Sequence, residues 1–262
     1  MSSNSDSKLR GKRALVTAGA QGIGLAIGRA LAQAGCDLFV HYRTSRTAAE
    51  ALCTDLSARG VRAACGPGDL TRAEECERVV AQAVEALGGL DVLINNAGSL
   101  VARRSFREAD DRFWAEVLAL NLDSVRWVTR AALDPLAEAG ASRGGASIVN
   151  LSSLAGRQGG GPGAIAYSTT KGALLTLTRG LASELGPKGV RVNAVTPGLI
   201  LGSAFHAQHT PEDAQRRIIA SIPLGRAGTT EDVARAVVYL ASEFDGFITG
   251  ATLDINGGIY MA

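Results

Sequence analysis

Apolar residues along this chain come in two alternating rhythms. Short runs such as Ala14-Leu15-Val16-Thr17 and Leu38-Phe39-Val40 have the length and composition of strands buried on both faces. Between them lie longer stretches with apolar residues every third or fourth position, as amphipathic helices require. The pattern predicts strands at Ala14–Thr17, Leu38–Val40, Val61–Cys65, Val92–Asn95, Ser147–Leu151, Val190–Val195 and Thr252–Ile255. It predicts helices over Ile23–Ala34, Arg46–Arg59, Arg72–Leu87, Asp110–Glu138 (bent near Pro135), Ala166–Leu185, Glu212–Ser221 and Thr230–Ser242. Gly35 and Gly60 stop the first two.

Strands alternating with helices over short connections form right-handed βαβ units, and those build a parallel sheet covered on both faces. The expected fold is therefore α/β, a doubly wound parallel sheet of the Rossmann type. It is expected to be a single domain over residues 11–262, with the polar residues 1–10 as a disordered tail. Ligands of such folds bind beyond the carboxyl ends of the strands.

Composition narrows the function. A formal net charge of +2, with both signs interspersed, gives no argument for nucleic acid or a membrane surface. Cys36, Cys53, Cys65 and Cys76 have no metal-type spacing, so no metal is expected and the thiols read as reduced, in a cytoplasmic setting. No apolar run is long enough to span a bilayer.

The candidate chemistry falls at the strand ends. After the first strand, Thr17-Ala18-Gly19-Ala20-Gln21-Gly22-Ile23-Gly24 must turn sharply and open a helix whose N-terminus would face phosphates. After the second comes His41-Tyr42-Arg43-Thr44-Ser45-Arg46, with no carboxylate to hold free ribose hydroxyls. Arg43 can pair with a 2′-phosphate, and Thr44 or Ser45 can donate to it. This favours NADP(H), with NAD(H) possible. Tyr167-Ser168-Thr169-Thr170-Lys171 puts a phenol and an ammonium one helical turn apart. An adjacent ammonium is expected to favour the phenolate and bring the phenol's pKa down from about 10, making it a proton shuttle.

With these residues the chain resembles the short-chain dehydrogenase/reductase family. The resemblance extends to Asn95-Asn96-Ala97-Gly98, Asn150-Leu151-Ser152-Ser153, Arg191-Val192-Asn193-Ala194-Val195 and the ending Asn256-Gly257-Gly258. It implies a nicotinamide-dependent carbonyl reductase, reversible in principle. Ser153 would bind the substrate oxygen, Tyr167 and Lys171 would move the proton, and Asn121 would hold a water on the relay. It implies cofactor contacts from Thr17, Gly19, Gln21, Gly22, Ile23, Gly24, Tyr42, Asp69 (on the adenine), Leu70, Asn96, Ala97, Gly98, Pro197, Gly198 and Ile200. It also implies a homotetramer formed through the two long helices.

Three departures stand out, the first at the cofactor turn and the other two at the pocket rim. Ala18 stands where the family usually has its first glycine. Gly156 to Ala164 is one residue longer than usual, and Gly202, followed by Ser203, replaces a threonine. The ending and Ile222-Pro223-Leu224-Gly225-Arg226 resemble 3-oxoacyl-carrier-protein reductases. The glycine-rich insert, Phe205-His206-Ala207 and Gly98-Ser99-Leu100-Val101 with Arg103 are similar to keto-uronate reductases. Arg103 or Arg104, Arg157 and His206 are expected at the pocket mouth, where cations would bind a substrate carboxylate or phosphate. Residues 203–221 are expected to form a lid. A reading of another class is a catalytically idle NADP-binding regulator on the same fold. An epimerase or dehydratase would need a longer substrate domain than this chain has room for.

Overall fold

The computed structural model describes residues 8–202, 210–242 and 246–262. Seven strands form one sheet: β1 (Arg13–Val16), β2 (Asp37–Tyr42), β3 (Ala63–Pro67), β4 (Val92–Asn95), β5 (Ala146–Leu151), β6 (Val190–Pro197) and β7 (Thr252–Ile255). Their order is β3-β2-β1-β4-β5-β6-β7 and every pairing is parallel. The direction of strand addition reverses between β1 and β4, which opens a crevice at their carboxyl ends.

The helices are α1 (Gly22–Gln33), α2 (Arg46–Ala58), α3 (Ala73–Leu87), α4 (Asp111–Leu118), α5 (Ser124–Ala131), α6 (Leu133–Ser142), α7 (Ala155–Gln158), α8 (Ile165–Leu185), α9 (Glu212–Ser221) and α10 (Thr230–Ala241). Strand alternation divides the core into two layers. Ala14, Val16, Leu38 and Val40 pack with Ile27, Leu31, Leu52 and Val237 of α1, α2 and α10. Leu15, Phe39, Leu93 and Ile148 turn the other way, onto Val79, Val80, Val128 and Leu185 of α3, α5 and α8.

Two expectations are corrected, and a third falls partly outside the described residues. The helix expected over Asp110–Glu138 is α4, a π turn at Ala119–Asp123, α5 and α6. Its break falls at Ala132, before Pro135, because Pro135 has no N–H for the carbonyl four residues back and fits only a new first turn. Residues 8–10, expected within the disordered tail, belong to the fold. Leu9 is fully buried in the core, and Gly11 N–H donates to Gly35 O at 2.9 Å, so the chain is ordered there. Residues 203–209 of the expected lid, with Phe205, His206 and Ala207, lie outside the described residues, while α9 carries its remainder.

Candidate active site

Beyond the ends of β1 and β4 lies a crevice of about 630 Å³. One end is walled by Gln21, Ile23, Gly24, Tyr42, Arg43, Thr44, Ser45, Asp69 and Leu70. Its middle is formed by Asn96, Ala97, Gly98, Pro197, Gly198 and Ile200, and its far end holds Ser153, Tyr167 and Lys171. The predicted strand-end residues thus converge from six separate segments.

Thr17, Gly19, Gly22 and Asn121 stand outside that wall. Thr17 is buried and acts as an interior pin. Its hydroxyl accepts from Asn96 N–H at 2.8 Å and Ala97 N–H at 3.0 Å and donates to Ile94 O at 3.2 Å, binding the end of β1 to that of β4. Gly19 N–H donates to His41 O at 2.9 Å. Gly22 opens α1 with φ +52°, the left-handed conformation that glycine adopts without strain. Ala18 takes φ +49°, a left-handed conformation that costs an alanine strain and a glycine none.

His41 explains how that loop is held. Its Nδ1 accepts from Ala18 N–H at 3.0 Å, so Nε2 carries the proton and donates to Gly68 O at 3.0 Å. Burial lowers its pKa below the ordinary histidine value, keeping the ring neutral. Sequence reasoning passed over His41 because an imidazole in a buried strand leaves no spacing signal.

The crevice fits a dinucleotide. A Cβ on Gly24 would sit 2.3 Å from Ala18 O and 2.6 Å from Asn96 Nδ2, so only glycine lets the helix start lie this close to the loop. Arg43 is exposed, lines the crevice and has no salt-bridge partner among the described residues. Arg46 instead pairs with Glu50 at 2.7 Å. Asp69 accepts from Thr71 N–H at 3.1 Å and Thr71 Oγ1 at 2.7 Å, and these bonds hold its carboxyl below the usual carboxylate range. Asp69 therefore shapes the turn into α3 as well as lining the crevice.

At the far end, Tyr167 and Lys171 project from one face of α8. The Lys171 ammonium lies 5.7 Å from the Tyr167 ring centre and donates to Leu151 O at 2.8 Å. Ser153 hydrogen-bonds the Tyr167 hydroxyl. Ser152 is spent elsewhere, its hydroxyl donating to Lys171 O at 2.6 Å. A buried chain sets the register of α8 on the sheet. Asn95 Nδ2 donates to Asn150 Oδ1 at 2.9 Å, and Asn150 Nδ2 donates to Thr178 Oγ1 at 2.9 Å. The backbone of α7 rests on α8 at Lys171, where a Cβ on Gly156 would come within 2.6 Å of the Lys171 carbonyl carbon.

The electrostatics overturn one expectation. Burial pushes the Tyr167 phenol up to about 12, with the Ser153 hydrogen bond pulling weakly the other way. Burial pushes Lys171 down to about 8. On balance the phenol is not acidified in this arrangement. Both groups are nearly sealed from water, and that penalty on charge outweighs their attraction.

Asn121 is fully buried in the π turn. It donates to Ser99 O at 2.9 Å and Val117 O at 3.0 Å, and accepts from Ser99 N–H at 3.0 Å. It is close to the site nonetheless. A Cβ on Gly98 would meet Asn121 Oδ1 at 2.8 Å and Lys171 Nζ at 2.9 Å, so glycine keeps the space between them open. Arg157, expected at the mouth, is bound to Asp254 by two hydrogen bonds of 3.1 and 3.2 Å and does not line the crevice. Arg104 lies over the Phe113 ring at 4.7 Å, also outside the wall, whereas Arg103 is part of it.

Known proteins resemble this chain in sequence and fold. A family model described as enoyl-(acyl carrier protein) reductase matches residues 17–260. A 3-oxoacyl-[acyl-carrier-protein] reductase of Staphylococcus aureus (strain N315) is 36% identical over 251 residues, covering 95% of this chain and 98% of that one. The chain belongs to the short-chain dehydrogenase/reductase family. Among solved members, an NADH-dependent reductase responsible for alginate metabolism superposes with a TM-score of 0.90 at 35% identity, over 98% of this chain and 100% of that one. A short-chain dehydrogenase of Burkholderia cenocepacia, in complex with NADP, gives 0.86 at 33% identity over 96% and 99%. As a short-chain dehydrogenase/reductase, this protein is an NAD(P)-dependent oxidoreductase that interconverts a carbonyl and a secondary alcohol. No described helix is long and apolar enough to cross a membrane.

Proposed function

We propose that this enzyme reduces the ketone of a small polar compound or a 3-oxoacyl thioester, with NADP(H) preferred over NAD(H). The observation that carries the reaction is the meeting of Ser153, Tyr167 and Lys171 at one end of a crevice whose other end suits a dinucleotide. When bound, the reduced nicotinamide supplies a hydride to the carbonyl carbon. Ser153 and the Tyr167 hydroxyl hold the carbonyl oxygen, and Tyr167, protonated at neutral pH, gives its proton to the oxygen as charge develops there. Lys171 stabilises the phenolate that remains. Asn121 holds the Ser99 backbone and the floor beneath Lys171 in place. The expected assembly is a homotetramer, a reading supported by the family resemblance, and the expected setting is cytoplasmic, from the four cysteines read as reduced thiols.

A carbonyl panel tests the reading. Protein, NADPH and a set of ketones, 3-oxoacyl thioesters and 2-enoyl thioesters are combined and NADPH loss is followed. Reduction of a carbonyl compound is expected. Loss with the enoyl compounds alone, or cofactor binding with no turnover at all, would overturn it, the second in favour of a regulator.

The preference for NADP(H) rests on Arg43 and on the absence of a carboxylate at the end of β2. Arg43→Ala is expected to weaken NADPH by about ten- to a hundredfold, the worth of a charge-assisted bond to phosphate, while NADH changes less than about threefold. Fluorescence titration with both cofactors reads this directly, and equal losses would remove the phosphate role.

The lysine sets a pH dependence. Reduction is expected to slow as pH rises through about 8, where Lys171 loses the charge that stabilises the phenolate. Lys171→Met should lack that limb in its pH–rate profile. Fold stability moves oppositely. Between about 8 and the ordinary lysine value of 10.5 the unfolded chain holds a proton the folded chain has lost, so stability rises with pH there. A profile that is flat from pH 7 to about 9.5 in the wild type would exclude a titrating Lys171.

A further inference from the structure

We propose that His41 is a positioning residue for the cofactor, whose uncharged ring ties two walls of the dinucleotide crevice into one unit, so that acid loosens the bound dinucleotide. The inference rests on the dinucleotide end of the crevice and on no choice of substrate. Ala18, His41 and Gly68 all line that end. Ala18 belongs to the loop after β1, His41 to β2 and Gly68 to the turn after β3, and β2 lies between the other two strands in the sheet. Strand alternation puts the His41 side chain on the same face as Phe39, toward α3.

From there the ring reaches both neighbours. Ala18 N–H donates to Nδ1 and Nε2–H donates to Gly68 O, each at 3.0 Å. The backbone of β2 repeats the link, since Gly19 N–H donates to His41 O at 2.9 Å and Gly68 N–H donates to Tyr42 O at 3.0 Å. The Gly68 side is anchored further by α3. Arg78 Nη2 donates to Pro67 O at 2.9 Å, Glu75 accepts from Asp69 N–H at 3.4 Å, and Arg78 and Glu75 pair at 2.6 Å. A Cβ on Gly68 would lie 2.5 Å from Val79 Cγ2 and 3.5 Å from His41 Nε2, so glycine lets the turn close on the ring and on α3 together.

The Ala18 side depends on the ring more heavily. An alanine at φ +49° is strained and leaves that conformation unless its surroundings enforce it. Two bonds do so here, from its N–H to His41 and from Asn96 Nδ2 to its carbonyl at 3.1 Å. That same carbonyl is the backbone on which Gly24 closes at the start of α1. Releasing Ala18 therefore shifts the helix start, where backbone N–H groups suit phosphate.

Charge on the ring would undo this arrangement. Nδ1 accepts only in the neutral imidazole, and a protonated ring carries donors on both nitrogens. One of them would then face Ala18 N–H, donor against donor, and turning the ring over would put carbon against both partners. The charged groups that act on the ring are Arg78 of α3 and Asp69 of the turn, of opposite sign, with Glu75 of α3 paired to Arg78. Burial is the larger influence and holds the ring below the ordinary histidine range. As pH falls through that lowered range the ring charges, the bond to Ala18 is lost and the phosphate loop is freed.

Calorimetric binding of NAD⁺ and NADP⁺ tests this without turnover. NAD⁺ serves for the pH series because it has no 2′-phosphate to titrate. Its affinity for the wild type is expected to fall by about threefold or more between about pH 7.5 and about pH 5, with Tm followed to show that the protein stays folded. His41→Asn keeps an acceptor near the place of Nδ1 and cannot titrate. It should bind NADP⁺ within about fivefold of wild type at about pH 7.5, and its NAD⁺ affinity should be flat over the same range. His41→Leu removes both ring bonds and should lose about tenfold or more on both dinucleotides. Ala18→Gly stays left-handed without restraint. It should change wild-type affinity by less than about twofold, yet restore at least about threefold in the His41→Leu background.

NAD⁺ affinity that rises or stays level in acid, the same acid response in His41→Asn, or no rescue by Ala18→Gly would overturn the assignment. The wild-type pH series and His41→Asn decide the matter even where His41→Leu is too unstable to titrate. Failure of both dinucleotides to bind the wild type would overturn it together with the reading of the crevice.

Discussion

Tyr167→Phe is expected to lose at least about two orders of magnitude in turnover, the usual share of a general acid, while NADPH binding stays within about threefold of wild type. The ring is nearly buried and contributes to a small core with Leu100, Phe113 and Val117, so phenylalanine keeps the packing and removes only the hydroxyl. What disappears is the proton for the developing alkoxide and the partner of Ser153. Because the phenol is pushed up to about 12, wild-type Tyr167 is fully protonated at neutral pH, and the loss should not depend on pH between 6 and about 7.5. Steady-state NADPH oxidation against a fluorescence titration separates the two effects. Near-normal turnover in the variant would remove Tyr167 from the reaction.

Gly24→Ala is expected to damage the other end of the crevice. The added methyl would lie 2.3 Å from Ala18 O and 2.6 Å from Asn96 Nδ2, and the nearest contact is backbone that cannot rotate away. Either α1 backs off the sheet or the loop through Ala18 shifts, and that loop is already left-handed at a non-glycine residue and tied to His41. Overpacking of this kind costs about 1 to 3 kcal/mol. In a chain of 262 residues it corresponds to a Tm lower by roughly 3 to 10 °C. Cofactor affinity should fall by about tenfold or more, since the displaced backbone faces the phosphate end. Gly186→Ala is the matched control, because a Cβ there meets nothing within 4 Å. Unchanged Tm and affinity in Gly24→Ala would mean that the close approach is not required.

These two sites were readable in the chain for different reasons. Tyr167 and Lys171 were legible because a helix converts a spacing of four into one face, and α8 is regular there. The glycine loop was legible because a strand running into a helix leaves few residues for the turn. The interior role of Thr17 was not, since its partners Asn96 and Ala97 follow a strand that sequence places far away. Arg157 was assigned to the pocket mouth because its partner Asp254 lies 97 positions later, where no local pattern can couple them. The charge state of the phenol and its lysine was misjudged for a related reason. Proximity of opposite charges can be read from spacing, whereas the depth at which they are buried cannot. The hydrophobic rhythm through Asp110–Glu138 suggested one helix because a π turn leaves the apolar periodicity nearly unbroken.

That turn has a consequence for how this stretch can vary. A π turn is a helix carrying one surplus residue, and each residue advances a helix by about 100°. Between Ala119 and Asp123 the surplus lets Asn121 face Gly98 while α5 still lays Val128 against the core beside α3. Deleting one residue here would restore a tidy spiral and swing one of those two surfaces away. The segment behaves like a reading frame, tolerant of exchanges in kind but not of any change in count.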